Sequence, residues 1–200
     1  MLNVCNYRVE GFLKIKDLST QEILVDKFNA IHFGNLSASM AEAISGRDKG
    51  HIRYMAFGNG GTFINGSSEL VYRSPNVKTY RDTSSALYNE TFFKEIDGTT
   101  GNTAVAITST TSYTDVKVTC TLDFNDAADI QLSIDRNTTS TAATFDELAI
   151  YTGNSGFTIA NGNTMATSDT LLVTHVIFHP IQKALNRILE VDYTIRIHLE

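Results

Sequence analysis

The chain of 200 residues carries 22 acidic and 16 basic side chains, for a net charge of -6 at pH 7, and a chain this long buries a substantial core without metals or disulfides. An acidic surface without clustered Lys and Arg speaks against electrostatic capture of nucleic acid or anionic membrane, and points to protein partners. Cys5 and Cys120 lie far apart and outside any Cys-x-x-Cys pair, so neither a disulfide framework nor a zinc site is signalled, and no cofactor is expected.

The start, MLNVCNYRVEGF, has no basic end followed by an apolar run, and no stretch approaches the roughly 20 apolar residues that span a bilayer. The expectation is a protein neither exported nor embedded in a membrane. Thr, Asn and Ser are abundant, only two prolines occur and Trp is absent, a composition that favours pleated surfaces joined by many short connections.

In residues 7–15, Tyr7, Val9, Leu13 and Ile15 fall at alternate positions; a polar turn follows at 17–20 and apolar character resumes at 22–25, predicting a hairpin over 7–25. Residues 35–46 change period. Leu36, Met40, Ala43 and Ile44 have helical spacing, with Asn35 placed as N-cap and Gly46 as C-terminal stop. Residues 51–57 suit a strand, broken by Gly58-Asn59-Gly60-Gly61. Residues 64–83 lack a clean period and contain Pro75, so they predict a long loop with a short edge strand whose order needs a neighbour.

Further strands are predicted at 87–96 and from Val105 and Ile107 onward. Val116, Val118, Cys120, Leu122 and Phe124 alternate with polar residues, the signature of a strand with one face in the core. Residues 145–151 form another, a Gly/Asn/Ser-rich stretch spans 153–169, and a strand from 171 ends at Pro180. The last strand alternates Leu189, Val191, Tyr193, Ile195, Ile197 and Leu199 with polar partners, long enough for an extended sandwich or for pairing with a neighbour. The fold class is mainly β: a single domain over 1–200, an antiparallel β-sandwich with strands from 51 to 199, one short helix at 35–46 and long polar loops.

The chemical motifs read as structure. His175-x-x-x-His179 has metal spacing only on a helix; on a strand the rings stand about 13 Å apart, so packing or interface histidines are expected. Asp123, Asn125, Asp126 and Asp129 lack the glycine and distal glutamate of a calcium loop and predict a turn or helix cap. Asp146 and Glu147, adjacent in a strand, point to opposite faces and do not pair as acid and base; one is expected in solvent and the other as a hydrogen-bonded anchor. Gly58-Asn59-Gly60-Gly61 has no Lys-Ser/Thr after it, and Gly153-Asn154-Ser155-Gly156-Phe157 is no nucleophile elbow. No catalytic residue, cofactor-binding residue or metal ligand is assigned, and the chain is expected not to be an enzyme.

Three segments together carry a resemblance: Tyr54-Met55-Ala56-Phe57-Gly58-Asn59-Gly60-Gly61-Thr62; then Phe145-Asp146-Glu147-Leu148-Ala149-Ile150-Tyr151; then residues 171–183 with 187–197. Their order and spacing resemble a family of tailed-bacteriophage virion structural proteins of tail, neck, baseplate or fibre-attachment type. In that family a Gly-rich turn precedes a variable insertion and a Leu-x-Asn-Glu-like strand start, here Leu87-Tyr88-Asn89-Glu90, and a DELGLY-like strand leads to an hxFxPIxK segment and a terminal alternating strand. The likeness covers about two thirds of the chain and leaves the N-terminal hairpin and helix outside.

It implies a virion subunit assembled in the bacterial host cytoplasm, whose partners are copies of itself, as trimer or hexamer, and other virion proteins. The neck, tail or baseplate is the expected station; a capsid decoration protein and a host-glycan-binding module are the alternatives. The contact residues expected are Gly58, Asn59, Gly60, Gly61, Thr62, Tyr72, Tyr80, Phe157, His175 and His179, together with the loops 67–83 and 153–169.

Overall fold

The computed structural model describes residues 7–96, 98, 103–124, 126, 142–154, 169–184 and 186–199. Among these the chain forms eleven strands and one α-helix, with a single 3-10 turn at Asp48–Gly50. In chain order they are β1 (Tyr7–Asp17), β2 (Ile23–Ile31), α1 (Phe33–Ile44), β3 (Ile52–Gly58), β4 (Thr62–Ile64), β5 (Leu70–Tyr72), β6 (Glu90–Glu95), β7 (Thr103–Ser109), β8 (Tyr113–Leu122), β9 (Ala142–Gly153), β10 (Thr170–Ala184) and β11 (Leu189–Leu199).

Nine strands make one curled antiparallel sheet in the order β6-β3-β9-β10-β2-β1-β11-β8-β7, while β4 and β5 pair apart as a small hairpin. The mainly-β, sandwich-like expectation holds. The corner is β2: it pairs with β1 from Ile23 to Asn29 and with β10 only through Ala30 and Ile31, so the sheet turns there into two facing layers. The core lies between them. Leu13, Ile15, Val118, Cys120, Val191 and Tyr193 from one layer meet Met55, Phe57, Phe145, Ile150, Val173 and Phe178 from the other, each fully buried large apolar side chain contributing about 1.5–3 kcal/mol.

Period-two alternation is cleanest where a strand has solvent on one face. In β11, Leu189, Val191, Tyr193 and Ile195 are buried while Glu190, Asp192, Thr194 and Arg196 are half-exposed. Its length is used within the chain, since it pairs along its whole run with β1 and from Leu189 to His198 with β8. On the outer face of this layer the charges pair across strands: Arg196 grips Asp115 through two 2.8 Å hydrogen bonds and lies over the Tyr113 ring.

The other layer differs, because β9 and β10 are buried on both faces, Phe145–Gly153 and Thr170–Phe178 without interruption. Their outer face is roofed by α1 and residues 62–89, and a second small core of Tyr54, Ala56, Leu87, Ala149, Tyr151 and Leu172 fills the space beneath. Three sequence expectations change here. The helix begins at Phe33 with His32, rather than Asn35, as N-cap: His32 Nδ1 accepts the Asn35 amide at 3.2 Å. The strand expected to stop at Pro180 runs on to Ala184, because the proline falls in a register break between Ile177 and Ile181 where no ladder hydrogen bond is needed. Phe124 lies beyond the end of β8 and is half-exposed.

Of the four apolar residues at helical spacing only Leu36 is buried. Gly34, Asn35, Leu36 and Ser39 pack inward, whereas Met40 is 41% and Ile44 84% exposed. A Cβ on Gly34 would lie 1.9 Å from the Tyr80 backbone; small and polar residues face the roof because the backbone of that segment lies directly on the helix.

Candidate functional site

The polar residues singled out in the sequence converge beneath the roof. β9 carries Asp146 and Glu147 at the point where its pairing with β10 jumps from Glu147↔Ile177 to Phe145↔Ile181. In a regular strand successive side chains diverge, but a bulge re-aims them, and here both carboxylates reach the same loop. Neither is solvated, against the expectation that one would be: Asp146 is 3% and Glu147 0% exposed.

Asp146 accepts the amides of Gly61 at 2.8 Å and Thr62 at 2.9 Å, together with the Thr62 hydroxyl. Glu147 accepts the amides of Gly60 (3.1 Å), Asn89 (2.8 Å) and Tyr88 (3.0 Å) and the His175 Nε2 proton at 3.0 Å. Burial alone would push the Glu147 carboxyl up, but the bonds from His175, Asn89 and Tyr88 outweigh it and hold the group below its ordinary value. His175 is equally committed. Its Nδ1 accepts the Asn76 amide at 2.8 Å, so the ring proton stands on Nε2 and faces Glu147, leaving neither nitrogen free.

A second fastening lies over α1. Asn35, fully buried, donates to the carbonyls of Asp82 and Leu172, each at 2.9 Å, and accepts the Asp82 amide at 2.8 Å. His32 Nε2 is 3.1 Å from Ser85 Oγ, and burial pushes the imidazole below its ordinary value, only partly offset by the nearby Asp82 carboxylate. Asp82 itself accepts from Lys78, Ser84 and Ser85, which hold its carboxyl far below the usual range. Residues 64–83, expected to need a neighbour for order, are thus tied down by the chain's own side chains.

What this base supports is apolar. Phe63 is 45%, Ile64 63% and Tyr72 50% exposed on the β4/β5 hairpin, with Arg73 over the rings of Phe63 and Tyr88. The hairpin turn is closed by Asn65 Oδ1, which accepts the amides of Ser67 and Glu69, both at 2.9 Å. Tyr80 is 63% exposed beside Lys78.

The ten expected contact residues therefore separate. Gly58 and Gly61 are buried and Asn59, Gly60 and Thr62 half-buried, forming the fastened base of the roof. Tyr72 and the exposed His179 meet at 3.1 Å on its surface. His175 cannot touch a neighbouring subunit, because it is 0% exposed beneath Tyr88 and the Asn76 backbone. Phe157, and most of the stretch 153–169, lie outside the described residues.

The chain matches no protein-family model, no curated protein and no solved structure. Among the described residues no group of three His, Cys, Asp or Glu side chains is arranged to hold a metal ion, and no helix is long and apolar enough to cross a membrane. Asp126, one of the four residues weighed as a calcium loop, accepts the Asp123 amide at 2.7 Å and the Lys94 ammonium at 2.8 Å; Asn125 and Asp129 lie outside the described residues. Cys120 is a core residue whose thiol burial pushes up to about 12. His32, Asn35 and the Asp82 loop escaped sequence reasoning: their partners lie between 47 and 137 positions away, and only the absence of an apolar residue at Asn35 hinted that this helix face meets polar backbone.

Proposed function

We propose that the chain is a non-enzymatic structural subunit of a tailed-bacteriophage virion, assembled in the host cytoplasm and working by contacts with copies of itself and other virion proteins in the neck, tail or baseplate. The observation that carries this reading is the disposition of the polar groups. Asp146, Glu147 and His175 are spent on backbone amides and on one another, while the hairpin they secure shows Phe63, Ile64 and Tyr72 to solvent. Buried groups with every valence used hold geometry, and contiguous exposed apolar residues mark contact surfaces.

The resemblance gains support from the same arrangement. The Gly58–Thr62 turn, the Asp146-Glu147 pair and the Leu87-to-Glu90 strand start, three of its pieces, bond to each other in space, as expected if they were one structural unit spread along the chain.

Quantitative mass spectrometry of purified particles tests the reading. A copy number that is a multiple of six or twelve below about a hundred, as ring symmetry requires, supports the neck, tail or baseplate. Hundreds of copies would replace that station with capsid decoration, and absence from the particle would overturn the virion role.

A further inference from the structure

Among the described residues, the strand at one end of the sheet lacks the protection that edge strands normally carry. β7 pairs with β8 from Thr103↔Cys120 to Ser109↔Thr114, and among the described residues no strand lies on its other side. Open edges recruit further strands unless charge, proline or a covering segment prevents it. The opposite edge, β6, has such protection: it contains Glu90, Lys94 and Glu95, and Lys94 crosses to the Thr121 carbonyl and the Asp126 carboxylate, both at 2.8 Å. Residues 103–113, by contrast, contain neither a charge nor a proline.

The phase of the ladder tells which groups face outward. The Thr110 amide donates to the Tyr113 carbonyl at 2.8 Å, which makes that opposed pair a hydrogen-bonded one, and in an antiparallel ladder such pairs alternate. Ala106 and Thr108 therefore turn their backbone groups to Lys117 and Asp115 of β8, while Val105, Ile107 and Ser109 turn theirs to the free edge. Ile107 is 71% exposed. It stands on the core-facing side of the sheet, in the same row as Val105, but past the reach of the opposite layer; Val105 and its neighbour Val116 are half-buried.

We propose that β7 pairs antiparallel with β7 of a second copy of this chain, continuing the sheet across a twofold axis. The strand is complementary to itself. Outward-facing residues pair with outward-facing residues, so Ile107 meets Ile107 or Val105 of the copy on one face of the joined sheet, and both exposed edges are satisfied by a single isologous contact. Charge does not oppose it, although each chain carries a net -6. The β8 charges flanking the edge are neutralised at home, Asp115 by Arg196 and Lys117 by Asp192 at 2.8 Å. A twofold contact of this kind fits an even-numbered assembly such as a hexamer and does not by itself build a trimer. The inference goes beyond the virion reading and stands without it.

The test is the solution mass of the full chain, by light scattering after size exclusion, for the wild type, Ile107→Lys and Ile107→Pro. Both substitutions leave the bonds to β8 intact, because the Ile107 amide points away from it; circular dichroism checks that each variant is folded, and Ile44→Lys on α1 serves as a control for a charge placed on another exposed apolar site. The expected result is an even multiple of the chain mass for the wild type and the control, halved in both Ile107 variants. A wild type with the mass of one chain, or folded Ile107 variants that keep the wild-type mass, would overturn the proposal. Because the readout is mass in solution, loss of the chain from particles with the pairing intact would sink the virion reading alone.

Discussion

His32 shows how much a single buried side chain can decide. It caps α1 through Nδ1, ties the roof to the helix through Nε2 and is fully buried, and burial holds its folded-state pKa below the ordinary 6.5. The sign follows from linkage: between the folded and unfolded values the unfolded chain binds the extra proton, so stability is complete above about pH 6.5 and falls as the pH drops below it. Urea unfolding midpoints at pH 7.5 and pH 5 should therefore differ in the wild type, with the lower stability at pH 5. In His32→Asn, which keeps a capping side chain but cannot titrate, that difference should shrink. Staying at or above pH 5 keeps Glu147 out of the measurement, because its lowered pKa removes its contribution only below the ordinary 4.5.

At the scale of elements, α1 separates pattern from environment. Its apolar residues have helical spacing, yet the roof lies against Gly34 and Asn35, Ser39 meets Thr152 of β9, and Ile44 is left in solvent. Asn35→Ala breaks three hydrogen bonds, the one to Leu172 buried and the two to Asp82 part-buried, and should cost about 2–3 kcal/mol in chemical denaturation, whereas Ile44→Lys should change stability by no more than about 0.5 kcal/mol; the apolar-stripe reading predicts the reverse order.

The same contrast explains what was legible in the sequence. β11 and β8 could be read directly, because a strand with solvent on one face writes its burial as strict alternation. β9 and β10 lost that signature once the roof covered their outer face, and Pro180 resembled a terminus because the register break that accommodates it depends on β9. Asp146 and Glu147 were visible as a pair, but their shared target was not, since opposite faces are the rule only in an unbulged strand.

For the whole molecule, a curled sheet becomes a three-layer body whose outermost layer, residues 62–89 with α1, is held mainly by buried polar anchors. Such anchors fix one arrangement without requiring a partner, provided every donor and acceptor is matched. The roof should then be ordered in the isolated chain and present its exposed hairpin already formed, an arrangement that lowers the entropy cost of assembly.

Amide hydrogen exchange on the purified, unassembled protein tests this most directly. The amides of Gly61, Thr62, Asn76, Tyr88 and Asn89, each bonded to Asp146, Glu147 or His175, should be strongly protected. In Glu147→Gln, those of Tyr88, Asn89 and Asn76 should lose protection while the β1 and β11 amides keep it. Exchange at unstructured-chain rates at these positions in the wild type would contradict the account, and would mean that the roof forms only against a neighbour.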